Sequence, residues 1–190
     1  MCPKTKEQNE IIREEKKSII LDAALHLFAE EGYHSASVSK IANKASISKG
    51  LLYNYFNSKE DVLKTLIFEM TDKMMEKFPS PTEKPTKEHI ELYIDKSCDI
   101  ILEDITYAKL FFVTYMQPEV MAIVNDKMMQ KASPFMNFIT TYFASKKAQN
   151  PEAMMFYFSA VLDGIQMHMI LNPNFPVEEV KKILKQQFIK

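Results

Sequence analysis

The stretch SISKGLLYNYFNSKED, residues 46–61, places a glycine inside what otherwise reads as a helix and surrounds it with two tyrosines, two asparagines and two lysines. At 100° per residue, a helix from a Ser48 cap through Phe56 puts Leu52 and Phe56 on one side. Gly50, Leu51 and Asn54 then face outward, with Tyr53 and Tyr55 at the flanks. Just upstream, Ser37 is a good cap for a helix whose Val38, Ile41, Ala42 and Ala45 fall on one face. Before that, Lys16 to Glu31 reads as a longer helix with Ile20, Leu21, Ala24, Leu27 and Phe28 in one stripe and Gly32 as a left-handed cap. Two short helices joined by a tight turn at Ser46 and Ile47, after a longer helix, spell a helix-turn-helix.

The outward face of the third helix is small and polar, as a helix entering a major groove requires. Gly50 allows close approach, Asn54 offers an amide able to pair with adenine, Leu51 offers an apolar group for a thymine methyl, and the tyrosine hydroxyls reach phosphates. The chain as a whole gives no such signal, because its formal charge is −1 and its pI about 6.4. The charge is local instead: residues 33–59 hold Lys40, Lys44, Lys49 and Lys59 and no acid. Lys59 opens a fourth helix, capped by Ser58 with Asp61 three residues on, where its ammonium and free backbone N–H groups are placed to hold a phosphate.

Composition narrows the remaining possibilities. With 190 residues, 46% of them hydrophobic, the chain can bury a real core in one large or two small domains. Three glycines, Gly32, Gly50 and Gly164, are too few and too scattered for a Rossmann fingerprint or a P-loop. Period-two alternation is missing while helical spacing recurs from Ile19 to Phe188, so the class is all-α, with about nine helices. Two cysteines, Cys2 and Cys98, do not make a disulfide framework. The polar start MCPKTKEQNE lacks an apolar targeting core, and the run AMMFYFSAVL, 153–162, stops at Asp163 short of a spanning length. We expect a cytoplasmic protein with no membrane partner.

The residues 17–66, with LDAALHLFAEEGYHSASVSKIANKASISKGLLYNYFNSKEDVL at their centre, resemble the DNA-binding domain of the TetR family of bacterial repressors. The resemblance covers about the first third of the chain and implies a domain over residues 1–64, followed by a helical effector-binding and dimerisation domain over 65–190. It implies a DNA-binding recognition helix from Ser48 to Phe56, in which Lys49, Gly50, Leu51 and Asn54 approach bases together with Ser39 of the second helix, and that Ser37, Tyr53, Tyr55 and Lys59 lie at phosphates. Ser46 departs from the family's usual turn glycine and is strained if left-handed. Arg13 is the one arginine of the chain, so the forked contact to guanine is missing from the recognition face. That favours an A/T-leaning operator, with Arg13 on an N-terminal arm entering a minor groove.

Beyond the proline-rich 78–86 linker, residues 86–190 hold fourteen of the 21 aromatics and nine of the 13 methionines. Helices are expected near 86–104, 105–116, 118–146, 152–171 and 176–189, with Pro134 either kinking or restarting the third. Methionine and aromatic stripes are most often plain core, yet their abundance suits an adaptable apolar pocket for a small apolar or amphipathic effector. Phe111, Phe112, Tyr115, Met116, Phe138, Tyr142, Phe156 and Met167 are the pocket candidates, with Gln166 and His168 to orient a ligand. In AVLDGIQMHMIL, 160–171, apolar residues wrap most of the circumference and Gly164 sits mid-helix at a cost of about 1 kcal/mol. This segment resembles the family's dimer helix, which makes Phe158, Val161, Leu162, Gly164, Ile165 and Met169 candidates for a homodimer interface and a palindromic double-stranded operator its target.

Catalysis has little support. His26, His34, His89 and His168 include no i, i+4 pair, no Cys/His cluster suggests a metal, and Asp99 with Glu103 reads as a solvated face. We expect no enzyme, no cofactor and no metal, and a ligand-released repressor as the leading function. Two alternatives stay open: a regulator whose C-terminal half serves only dimerisation or protein partners, and a helical enzyme that binds no DNA.

Overall fold

The computed structural model describes residues 6–78, 80–82 and 84–189; Cys2 and Pro79 of the linker lie outside them. Among the described residues there are nine α-helices and no strand: α1 Lys6–Glu31, α2 Val38–Lys44, α3 Lys49–Tyr53, α4 Lys59–Met75, α5 Lys87–Glu103, α6 Ile105–Tyr115, α7 Pro118–Ser145, α8 Pro151–Leu171 and α9 Val177–Phe188. The chain divides into two compact units: residues up to Thr71 together with Leu110–Asn125, and Asp72–Lys109 together with the chain from Asp126 onward. Helices α4, α6 and α7 each run from one unit into the other.

In the first unit the stripe Ile20, Leu21, Ala24, Leu27 and Phe28 of α1 is buried, as are Ile41, Ala42 and Ala45, Leu52 and Phe56, and Val62, Leu63, Leu66 and Ile67 of α4. The capping chemistry is local and explicit. Ser37 Oγ accepts from the Lys40 amide at 3.2 Å, Ser48 Oγ from the Leu51 amide at 3.1 Å, and Ser58 Oγ from the Asp61 amide at 3.0 Å. Asp61 reaches back to the Asn57 amide at 2.8 Å, which closes the start of α4. Ser46 has φ +55° and Gly32 φ +83°, so both turn positions are left-handed, the serine with a side-chain clash that glycine avoids. Helix α1 starts ten residues earlier than the apolar stripe predicts, because its first turns are polar and exposed and carry no stripe to read. Helix α3 ends at Tyr53 rather than Phe56; Asn54 and Tyr55 form a turn whose amides bond Leu51 and Leu52 carbonyls.

The second unit is built around Ile90, Ile94 and Cys98 of α5, Phe138, Ile139, Tyr142 and Phe143 of α7, Phe158 and Leu162 of α8, and Leu184 and Phe188 of α9. Asn150 caps α8 by accepting from the Ala153 amide, with Pro151 in the first turn. Pro134 neither ends nor restarts α7, which is continuous through it. Both Pro134 and Gln130 are exposed, so the Gln130 carbonyl that the proline cannot pair lies in an exposed stretch open to solvent. Burial pushes the Cys98 thiol up to about 11, which makes it an inert core residue. Buried Lys181 is neutralised by Glu178 at 3.0 Å, Asp95 at 3.5 Å and Asp99 at 3.6 Å, so Asp99 belongs to an ion cluster and Glu103 pairs separately with Lys77. Measured from Pro151, α8 is long and apolar enough to cross a membrane by length and composition alone. Its Met155, Phe158, Leu162, Ile165 and Met169 instead face the unit's own core.

Candidate nucleic-acid interface

Helices α2 and α3 meet through the Ala45–Ile47 turn, where the Ala45 and Ile47 amides bond the Ile41 and Ala42 carbonyls at 2.9 Å each. With Leu52 inward, α3 presents Lys49, Gly50, Tyr53 and Asn54 to solvent, together with the exposed cap Ser48 and half-buried Leu51 and Tyr55. Ser39 and Ser37 of the α2 region are also exposed. A side chain at Gly50 would meet no atom of the chain within 4 Å, and its backbone is not left-handed. The chain itself therefore does not require glycine there; an approaching surface would.

The charge on this face differs from the sequence expectation. Lys40 pairs with Glu31 at 2.5 Å and Lys44 with Glu30 at 2.8 Å, because the acidic end of α1 folds alongside α2. Such exposed pairs are worth little and exchange readily for phosphates. Lys49 alone of the four has no partner among the described residues.

Lys59 is turned inward. Its ammonium donates to the carbonyls of Tyr33 at 2.8 Å, His34 at 3.3 Å and Ala36 at 2.9 Å, and lies 4.3 Å from the centre of the Tyr33 ring. Burial lowers its pKa from the ordinary lysine value. All three of its protons are used, so the expected phosphate contact gives way to a structural clamp on the α1–α2 loop. Arg13 is corrected as well: it lies within α1, its guanidinium 5.2 Å from the centre of the Tyr55 ring and 3.4 Å from the Asn54 carbonyl, and not on a free arm.

The two other candidate sets are rearranged. Phe138 and Tyr142 are buried in the second unit's core, whereas Phe156 and Met167 are 54% and 44% exposed on the far side of α8. Phe111, Phe112, Tyr115 and Met116 belong to the first unit, Gln166 is tied by its Nε2 to the Ser97 carbonyl, and His168 stacks on Phe175. The ten residues are thus divided between the two units and, within the second, between its core and its surface. Of the dimer candidates, Phe158, Leu162, Ile165 and Met169 face the chain's own core and Val161 lies at its edge, leaving Gly164 on the outer side. The uncovered face carries Phe156, Ala160, Asp163, Gly164, Met167 and Leu171. A helix that is apolar all round does not reveal by periodicity which side its own chain covers. Among the described residues no three His, Cys, Asp or Glu side chains gather as a metal site.

A capped helix-turn-helix with a small exposed face on its second short helix, set in an all-α fold, has the shape and chemistry of an element that enters a DNA major groove. Residues 20–66 match the model of the bacterial regulatory proteins of the tetR family. The chain is 40% identical over 87 residues to the fatty acid metabolism regulator protein of Bacillus subtilis (strain 168), 45% of each chain. It is 39% identical over 64 residues to the HTH-type transcriptional regulator UidR of Escherichia coli (strain K12), covering 34% of this chain and 33% of that one. The matched stretch thus spans less than half the length of these relatives. The fold continues further: the fatty acid degradation regulator FadR of Bacillus halodurans superposes with a TM-score of 0.69 over 90% of this chain and 96% of its own, at 23% identity. A TetR family transcription regulator of Marinobacter aquaeolei VT8 gives 0.67 over 91% and 93%, at 20% identity.

Proposed function

We propose that the protein is a cytoplasmic transcriptional repressor that binds a palindromic operator as a homodimer and leaves it when a small apolar or amphipathic effector is bound. The observation that carries this reading is the exposed face of Ser39, Lys49, Gly50, Leu51, Tyr53 and Asn54 on a helix-turn-helix that matches the tetR family. Lys49 and the exchangeable Lys40 and Lys44 supply the sequence-independent attraction to phosphates. Asn54 and Leu51 supply adenine and thymine contacts, which leans the operator toward A·T pairs, while the one arginine, Arg13, is engaged by the Tyr55 ring and the Asn54 carbonyl at the end of α3.

The outward face of α8 is the dimer surface in this reading. Phe156, Met167 and Leu171 are 54%, 44% and 60% exposed, and a side chain at Gly164 would touch nothing in its own chain within 4 Å. A second copy packed there removes apolar surface from water and uses the room at Gly164. For the effector, the interior around Tyr93 is the best-supported location. Its ring lies 4.9 Å from Phe78 and 6.2 Å from Phe135 and Phe158, its hydroxyl has no partner among the described residues, and burial pushes it up to about 12. The names of two similar proteins refer to fatty acids, which makes medium- and long-chain fatty acids the first compounds to screen. An effector lowers operator affinity only by its preference for the non-binding conformation.

The deciding experiment is selection of bound sites from random duplex DNA, repeated with Asn54→Ala. Enrichment of an inverted repeat with half-sites about one helical turn apart, weakened by the substitution, supports the proposal. No enrichment at low salt from a folded dimer removes it.

A further inference from the structure

We propose that Gln117 is a positioning residue for the DNA-binding face, completing the C-terminal cap of α1 from the turn between α6 and α7. The inference rests on the DNA-binding reading above only for its functional consequence. Helix α1 ends in a left-handed glycine, Gly32 with φ +83°, whose amide bonds the Phe28 carbonyl at 3.1 Å. That single bond is the simpler αL closure; in the fuller Schellman closure the next amide, that of Tyr33, bonds the Phe28 carbonyl directly. Here a side chain stands between them. Gln117 Nε2 donates to the Phe28 carbonyl at 2.8 Å, and its Oε1 accepts from the Tyr33 amide at 2.6 Å. The carboxamide does both at once with separate atoms, whereas a carboxylate lacks the donor and an ammonium the acceptor.

The loop that follows is held at its other end by Lys59, through the Tyr33, His34 and Ala36 carbonyls. The Tyr33 ring links the two clamps: it lies under the Lys59 ammonium and meets Phe28 edge-on at 5.3 Å. Residues 32–37 thus have two outside anchors, one from α4 and one from the α6–α7 turn, and at their end Ser37 caps α2. Helix α2 carries Ser39 and, through Ile41 and Ala45, supports α3. Moving the α6–α7 turn by an ångström breaks the two Gln117 bonds and leaves the loop before α2 with one outside anchor instead of two. Since α6 and α7 both continue into the second unit, the turn gives that unit a handle on the recognition helices separate from α4.

The test uses the full chain and three proteins: wild type, Gln117→Leu, which removes both bonds at similar volume, and Gln117→Glu, which keeps only the acceptor for Tyr33. Amide hydrogen exchange is read without DNA, and affinity for the selected duplex is read at several salt concentrations. Gln117→Leu is expected to speed exchange at Tyr33 and Ala36 about tenfold, leave Phe158 in α8 unchanged, and lower affinity about tenfold with an unaltered salt slope. Gln117→Glu is expected to retain protection at Tyr33 and to fall between the two in affinity. Unchanged exchange at Tyr33 in Gln117→Leu, or equal loss in both variants, overturns the proposal. Should Gln117→Leu unfold throughout, retained Tyr33 protection in Gln117→Glu upholds the latch and its loss refutes it. If wild type itself retains no DNA, the DNA-binding reading fails while the exchange data still decide the latch.

Discussion

Lys59→Met separates a lysine that clamps a loop from one that meets DNA. The substitution keeps the length of the side chain and removes an ammonium that donates to two carbonyls at 2.8 and 2.9 Å and a third at 3.3 Å. Hydrogen bonds to a charged donor contribute about 1.5 kcal/mol each at the lower end of their range, and the Tyr33 ring adds about 0.5 kcal/mol at an exposed site. The longest bond adds little, and water replaces part of what is lost because the site is only partly buried. The net expectation is about 2 kcal/mol of destabilisation, or a Tm lower by about 4–8 °C in a chain of this size. Operator affinity falls with it, but the slope of log K against log salt stays the same, since no phosphate contact is removed. Lys49→Met is the control: no change in Tm, and a slope reduced by about 0.9 for each protomer. Thermal melts and salt-titrated binding of both variants decide the matter. Lys59→Met with an unchanged Tm and the slope loss expected of Lys49→Met would refute the clamp and restore the phosphate contact.

Gly50→Ala is expected to stabilise the fold by up to about 0.5 kcal/mol, because alanine favours the helix and meets nothing in the chain, yet to weaken operator binding; chemical denaturation and DNA titration read the two effects. Ser46→Gly relieves a left-handed serine at φ +55°, and a gain of about 0.5 kcal/mol in denaturant unfolding is expected; a loss would mean the strain is absent. Gly164→Leu fills space that no atom of its own chain occupies, so sedimentation should show a shift to monomer with the helical signal intact. Asp163 is exposed as a residue on the outer face of α8, yet its carboxyl is partly desolvated, which raises its pKa, so the fold modestly prefers its neutral form. The wild type therefore loses stability as pH rises from about 3.9 through the folded-state value and keeps that deficit at neutral pH. Asp163→Asn is expected to melt higher than wild type at pH 7 and to lose that advantage below about pH 4; an equal difference at both would count against it.

Local rules made the helix-turn-helix legible. Three serine caps, one glycine stop and apolar residues at helical offsets determine the end of α1 and the starts of α2 to α4 within a few residues, all of them interactions over four positions or fewer; the polar first turns of α1 carried no such mark. Tertiary packing was needed wherever a residue's partner is distant in the chain. Glu30 and Glu31 neutralise two lysines that looked free because α1 and α2 are side by side, and Lys59 points inward because a loop 23 to 26 residues upstream offers it three carbonyls. The outward face of α8 was hidden by the opposite problem, since apolar residues on every side give periodicity nothing to distinguish. Gln117 leaves no mark in sequence at all: its partners are 84 and 89 positions away, and only the fold brings a side-chain amide between the two backbone groups at the end of α1.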